Sequence, residues 1–356
     1  MSGREAEYVN RCLSSNWISS RGEFIQQFET GFAEFTGARF ATSVCNGTTA
    51  IHLALAALGI GPGDEVIVPT LTYVASVNPI LQLGAVPVFV DSLDTTWQMD
   101  PRQVEQRITA RTKAIMVVHL YGLPCDMDAL TQVCRKHRLL LIEDCAEAFG
   151  TRYKGLHVGT FGDAATFSFF GNKTITTGEG GMVTARSSAV IERARHLKSQ
   201  GVSSLHEYWH DQLAYNYRMT NLCAAIGLAQ LERADEILAC KRRIAEWYAE
   251  ELRGLPLTLH AEQPDTTHSF WMCSILLHAA SLRAPLRAHL RQVGIDTRPV
   301  FHPAHTLPHC LRQERFPVAE ALSAGGLNLP SYPALSREDV HSIGQAVHAF
   351  FASVRC

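Results

Sequence analysis

The chain has 356 residues, 46% hydrophobic and 19% charged, and its 32 basic side chains nearly balance 34 acidic ones for a net charge of -2. Such a length buries a large core in more than one lobe, and near-neutrality removes any global field that would draw the protein to nucleic acid or an anionic membrane. No stretch approaches the roughly 20 uninterrupted apolar residues of a membrane span, and the start "MSGREAEYVN" is too polar for a secretory signal, so the expectation is a cytoplasmic protein.

From Ala50, "AIHLALAALGIG" puts Ile51, Leu55 and Leu58 on one helical face and stops at Gly59 and Gly61. A short buried strand, "EVIVP", follows. The alternation then repeats: a helix near 72–84, strand "AVPVFVD", a helix near 100–109, strand "AIMVVHL", a helix near 126–137 and strand "LLLIED". Apolar strands without polar alternation, separated by helix-length segments, predict a mainly parallel sheet covered on both faces, an α/β core. Beyond residue 186 helices dominate, including a long one, with room for a break, from about Asn221 to Arg253. "FWMCSILL" and "TRPVF" then read as strands, and "SREDVHSIGQAVHAFF" opens with a capping box from Ser336 to Asp339. This predicts a large α/β unit over 1–232 and a smaller α+β unit over 233–356, with the N-terminal helix expected to pack on the smaller one.

Ten cysteines are scattered singly, without a C-x-x-C pair, which reads as small core residues in a reducing compartment. The segment "FHPAHTLPHC" gathers His302, His305, His309 and Cys310, but two prolines interrupt any helix that would align them, so no metal site is expected.

The richest stretch is "TFSFFGNKTITTGEGGMV", residues 166–183. A P-loop needs G-x-x-x-x-G-K-[ST], whereas here Asn172 separates Gly171 from Lys173 and the glycines follow the lysine. A lysine held between buried strands loses hydration, which lowers its pKa and frees the amine as a nucleophile. Such an amine in an α/β protein suggests Schiff-base chemistry with pyridoxal phosphate, which needs an acid at its ring nitrogen, a phosphate cup and a flat ring partner. Asp144 ends the strand of "LLLIEDCAEAFG", at the sheet edge where ligands bind, though taken alone it reads equally as a helix cap. Gly47 and Thr48 begin a helix whose free N–H groups attract an anion. Tyr73 follows the next strand at the same edge, as a ring partner or a core aromatic.

Together, "NGTTAIHLALAALGIGPGDEVIVPTLTYVAS", "VVHLYGLPCDMDAL", "IEDCAEAFG", "FSFFGNKTITTGEGG" and "YNYRMTNLCAAIGLAQLE", in this order over nearly the whole chain, resemble the DegT/DnrJ/EryC1/StrS sugar aminotransferases, which have the type I aminotransferase fold. The resemblance implies that Lys173 carries pyridoxal phosphate, passing through pyridoxamine phosphate, and acts as acid and base. It implies that Asp144 faces the ring nitrogen, that Ser168 with Gly47 and Thr48 holds the phosphate, and that Tyr73 stacks on the ring. Asn216 matches an asparagine lent to the neighbouring subunit, which implies a homodimer. Glu147 stands where many relatives carry a glutamine bonded to the ring oxygen. Relatives with histidine in place of the lysine are sugar dehydrases, so Lys173 implies amino transfer.

Within the family, "SFFGNKTITTGEGG", "WISSRGEF" and "TRPVFHPAHTLP" are similar to the branch that moves nitrogen from L-glutamate to C4 of GDP-4-keto-6-deoxy-mannose. Arg298, His302 and His305 are expected to line the sugar-nucleotide entrance, and Arg218 to meet its diphosphate. Other readings are a UDP- or dTDP-linked ketosugar, a non-catalytic cofactor-binding regulator, and a cysteine-based desulfurase. The chain also begins about ten residues short of the usual start, a gap about one helix long.

Overall fold

The computed structural model describes residues 1–310 and 313–354. Two helices, α1 (Glu5–Ser15) and α2 (Glu23–Thr36), lead into β1 (Phe40–Val44), α3 (Gly47–Ala57), β2 (Glu65–Pro69), α4 (Asn78–Gln82), β3 (Val86–Val90), α5 (Pro101–Gln106) and β4 (Thr112–Val118). The same alternation continues through α6 (Met127–His137), β5 (Leu140–Asp144), a hairpin of β6 (Arg152–Tyr153) and β7 (Leu156–His157), β8 (Ala164–Ser168), β9 (Gly181–Ala185) and α7 (Ser188–Lys198).

Seven of these strands form one sheet in the order β1-β9-β8-β5-β4-β2-β3. The pairs from β8 through β5, β4 and β2 to β3 are parallel, and β9 runs antiparallel between β1 and β8. The central strands are buried on both faces, as their unbroken apolar runs require. All parallel strands end on one edge, where the connecting loops collect.

α8 (Asn221–Leu231) and α9 (Ala234–Glu251) form the long helical stretch, broken at Glu232 and Arg233. There follow β10 (Leu257–Leu259), β11 (Thr266–Thr267), β12 (Cys273–Leu277), α10 (Arg283–Gln292), β13 (Arg298–Pro299), α11 (Pro317–Gly325), β14 (Gly326–Leu329) and α12 (Arg337–Ser353). A second, antiparallel sheet, β10-β12-β14-β13, carries α9 and α12 against it. Ala234 and Ile237 of α9 pack in the large unit, whereas Ile244, Tyr248 and Leu252 pack with the second sheet, so the chain crosses between units along this helix. β11 crosses back and pairs with β6.

The expectation that the N-terminal helix sits on the smaller unit does not hold. Tyr8 and Cys12 of α1 join the cluster of Phe24, Phe28 and Phe32 of α2 and Ala224 of α8. The Asn221 side chain fixes this arrangement, donating to the Trp17 carbonyl at 2.7 Å and accepting from the Phe24 N–H at 3.1 Å. A buried amide with both ends paired specifies how the two leading helices dock.

Candidate active site

At the shared edge of the parallel strands lies a cavity of about 550 Å³. Loops after β1, β2, β5 and β8 line it, and Trp271 and Phe301 close it from the C-terminal side. Lys173 stands in the β8–β9 connection, where its backbone N–H donates to the Phe170 carbonyl at 2.9 Å. The glycines behind it have local reasons. Gly178 turns at φ +80°, and a Cβ on Gly181 would lie 2.6 Å from the Asn46 carbonyl oxygen. Loss of hydration lowers the pKa of Lys173, and the nearby charges of Glu147 and Asp144 oppose that shift.

Asp144 is buried at the end of β5 and accepts from the Ser76 hydroxyl at 2.6 Å and from the Ala146 N–H at 3.0 Å. Burial raises its pKa, while Ser76, Ala146 and the charge of Lys173 pull it back. The adjacent Glu143 does not share this role, because successive residues of a strand face opposite sides. Its carboxylate takes N–H groups from Gly159 at 2.7 Å, Phe161 at 2.8 Å and Gly162 at 2.7 Å. The Cys125 N–H donates to His119 Nδ1, so Nε2 carries the hydrogen and donates to Glu143 at 3.2 Å. His119, Glu143 and Cys145 have spacing suited to a metal, yet the Glu143 oxygens are filled by these donors, and the group ties the β5–β8 loop to the sheet.

At the head of α3, Asn46 caps the helix by accepting from the Thr49 N–H at 2.9 Å. A Cβ on Gly47 would come within 2.6 Å of the Ser168 Cβ and 2.8 Å of its Oγ, so glycine lets the Ser168 hydroxyl reach the helix N-terminus. That cradle of hydroxyls and leading N–H groups suits a phosphate monoester. Glu147 is buried beside it, and burial pushes its pKa up to about 7. Its Oε2 accepts from the Tyr121 N–H at 2.8 Å. Tyr121 holds a left-handed backbone, φ 56°, a strained state for a bulky residue and one often found at functional sites.

Gly47, Thr48, Tyr73, Asp144, Glu147, Ser168 and Lys173 thus meet around one cavity. Tyr73 stands at the rim, 55% exposed and tilted on Phe301. Asn216 is exposed, and its side-chain oxygen accepts from Arg218 at 3.1 and 3.2 Å; neither residue lines this cavity. Arg298 is exposed, paired with Asp296 at 2.9 Å, and borders an adjoining cavity of about 360 Å³ that also touches Lys173. His302 is exposed.

His305 is a correction. It is buried, with Nδ1 2.7 Å from the Thr70 hydroxyl and Nε2 3.3 Å from Glu320, so it fastens the loop before α11 to the end of β2 and is not part of an entrance. Sequence reasoning missed Asn46, Ser76 and Trp271. Asn46 had a signal, a capping residue directly before Gly47, and Ser76 lay in the same short loop as Tyr73. Trp271 had none, since it arrives from a distant part of the chain.

A deprotonatable amine, an acid on the parallel-strand edge and an anion cradle around one space are what pyridoxal phosphate requires of a protein, and the residues present fit it. Fold and site define a pyridoxal phosphate-dependent aminotransferase of fold type I. Residues 1–348 match the DegT/DnrJ/EryC1/StrS aminotransferase family, and the chain belongs to that family. It is 55% identical over 353 residues to the GDP-perosamine synthase of Escherichia coli O157:H7, covering 99% of this chain and 97% of the relative. It is 52% identical over 356 residues to the GDP-perosamine synthase of Vibrio cholerae, covering 99% and 97%. Among solved structures, the aminotransferase TlmJ from Streptoalloteichus hindustanus superposes with a TM-score of 0.95 at 31% identity, covering 100% of this chain and 98% of that one.

Proposed function

We propose that the enzyme moves an amino group from L-glutamate to a GDP-linked 4-keto-6-deoxyhexose, GDP-4-keto-6-deoxy-mannose, as a cytoplasmic homodimer. The observation that carries the substrate is whole-chain similarity above 50% identity to two proteins named GDP-perosamine synthase, combined with a lysine in the cavity.

In this reading Lys173 carries the cofactor, Asp144 faces its ring nitrogen, Gly47, Thr48 and Ser168 hold its phosphate, and Tyr73 and Glu147 contact the ring. Bound there, the cofactor supplies an aldehyde that accepts amino groups and a ring that takes up negative charge. The protein does the rest. Burial of Lys173 leaves a fraction of its amine uncharged, able to take a proton from the donor carbon and return it. Ser76 orients Asp144 so that its carboxylate does not rotate away.

The dimer reading is supported by the segment that bears Asn216 and Arg218, which exposes Leu205, Tyr208, Trp209 and Leu213. In this reading Asn216 enters the partner's site, and Arg218 with Arg298 and His302 meets the sugar nucleotide. The test is a panel of GDP-, UDP- and dTDP-linked ketosugars with L-glutamate, followed by product mass. The GDP-linked 4-ketosugar is expected to gain nitrogen fastest. Faster reaction of a dTDP- or UDP-sugar would overturn the substrate and leave the reaction class standing.

A further inference from the structure

One contact of the reactive amine involves a residue to which neither the mechanism nor the family comparison gives a role. The Nζ of Lys173 sits 3.8 Å from the centroid of the Trp271 ring. Trp271 is buried, 4% exposed, in the bend just before β12 of the C-terminal sheet. Its indole N–H donates to the carbonyl of Asn172, the residue before the lysine, at 2.8 Å. One side chain therefore holds both the amine and the backbone that carries it.

Trp271 is itself fixed from behind. The buried Lys241 of α9 donates to the Trp271 carbonyl at 2.8 Å and to the Ser331 carbonyl, and the Ser331 hydroxyl bonds the same Trp271 carbonyl at 3.3 Å. The preceding Phe270 holds a left-handed backbone, φ 48°, with its N–H bonded to His268 Nδ1 at 2.9 Å and its ring stacked on the His268 ring. Tyr121 lies parallel to the indole at 6.0 Å, and Phe301 stacks on Tyr121. Strain persists where the surroundings over-determine it, and here they set the position of one indole.

We propose that Trp271 is a positioning residue for the catalytic amine: its ring face gives the unattached Nζ of Lys173 a fixed seat, and its N–H locks the loop beneath. Each turnover releases the lysine from the cofactor, and a four-carbon side chain set free in a 550 Å³ cavity would otherwise sample many rotamers. A ring face attracts the ammonium and not the neutral amine. The seat thus favours the proton-carrying state that the lysine must hold between taking a proton and returning it. This inference goes beyond the proposed reaction and does not depend on which ketosugar is the acceptor.

The full-length protein freed of cofactor tests it, because the amine is then unattached and no donor or sugar is needed. Trace acetylation with acetic anhydride reports the neutral amine, read at the Lys173 peptide by mass spectrometry as a function of pH. The charges acting on Nζ are Glu147 and Asp144 from the β5 side; Glu179 of the glycine turn lines the same cavity, and Lys241 and the Asp296–Arg298 pair line the adjoining one. All are shared by wild type and variants.

Trp271→Leu removes the ring face, so the acetylation midpoint is expected to fall by about one pH unit. Trp271→Phe keeps a weaker face and is expected to shift less in the same direction. Midpoints equal to wild type, or higher, in folded variants would overturn the proposal. Should Trp271→Leu fail to fold, Trp271→Phe decides alone: a fall supports the seat and no change overturns it.

Discussion

Lys173 and Lys241 lie on opposite sides of Trp271, one over its ring and the other at its carbonyl, and both have been drawn out of water. Burial lowers both pKa values, that of Lys241 to about 8. Burial alone therefore does not distinguish a reactive amine from a structural one. What differs is what occupies the hydrogens. Lys241 spends its donors on two carbonyls and the Ser331 hydroxyl, whereas among the described residues no hydrogen bond ties Lys173 Nζ. Lys173 also feels the charges of Glu147 and Asp144 and borders a cavity wide enough for a cofactor, although among the described residues neither lysine has a carboxylate within ion-pair reach. An amine with saturated donors fastens strands together; one resting on a ring face can leave.

The sharpest way to break this contrast is to truncate each lysine. In the proposed reading nucleophile and acid/base are lost together, so Lys173→Ala is expected to reduce amino transfer by at least about 10³-fold, with the unfolding midpoint little changed. Steady-state assays and urea denaturation check both halves. Lys241→Met should do the reverse. It orphans the buried Ser331 carbonyl and leaves the Trp271 carbonyl only its longer bond from the Ser331 hydroxyl, and is expected to cost roughly 2–4 kcal/mol in urea unfolding, while cofactor absorbance persists. If Lys241→Met loses the cofactor and keeps its stability, the distinction between the two amines fails.

The two surroundings also differed in how much of them the sequence disclosed. Around Lys173, the strand-to-loop punctuation placed Tyr73 and Asp144 on one sheet edge and Gly47 at a helix start, because a parallel sheet delivers all its strand ends to the same side, while Ser168 came from the family resemblance. That is topology, and periodicity reports it. Around Trp271 no such rule operates. The indole reaches the lysine across about a hundred residues, and its position rests on Lys241, Ser331 and the bend at Phe270. "FWMCSILL" read as one strand, but pairing begins only at Cys273. The pair Glu143–Asp144 shows a finer limit: two carboxylates stand side by side at one strand end, and the alternation of the strand sends one to the cavity and the other into a knot of N–H donors.

Glu147 offers a pH test of the Lys173 side. Its pKa rises from 4.5 to about 7, chiefly through burial, so the cofactor-free folded state holds a proton that the unfolded chain has released. The sign follows. Below about pH 4.5 both states are protonated and the group adds nothing. Between there and about pH 7 the folded state loses stability as pH rises, with a ceiling on the order of 3 kcal/mol. Glu147→Gln should flatten that decline in cofactor-free protein, as thermal melts from pH 5 to 8 would record. An equal slope in both proteins would mean that Glu147 is ionised beside Lys173.

The smallest expected effects separate two histidines that stand three residues apart. His305 bridges Thr70 and Glu320 in the interior, so His305→Ala leaves the buried Thr70 hydroxyl only the longer bond from the backbone N–H of residue 305 and is expected to cost about 1–3 kcal/mol, with KM for both substrates within about twofold of wild type. His302 is exposed and carries no such duty, so His302→Ala should change stability by no more than about 0.5 kcal/mol. If His302 meets the sugar nucleotide, KM for that substrate alone rises. A stability loss at His302, or a KM effect confined to His305, would reverse the assignment, and with it the claim that hydrogen-bond saturation is what separates structural from functional polar groups in this half of the molecule.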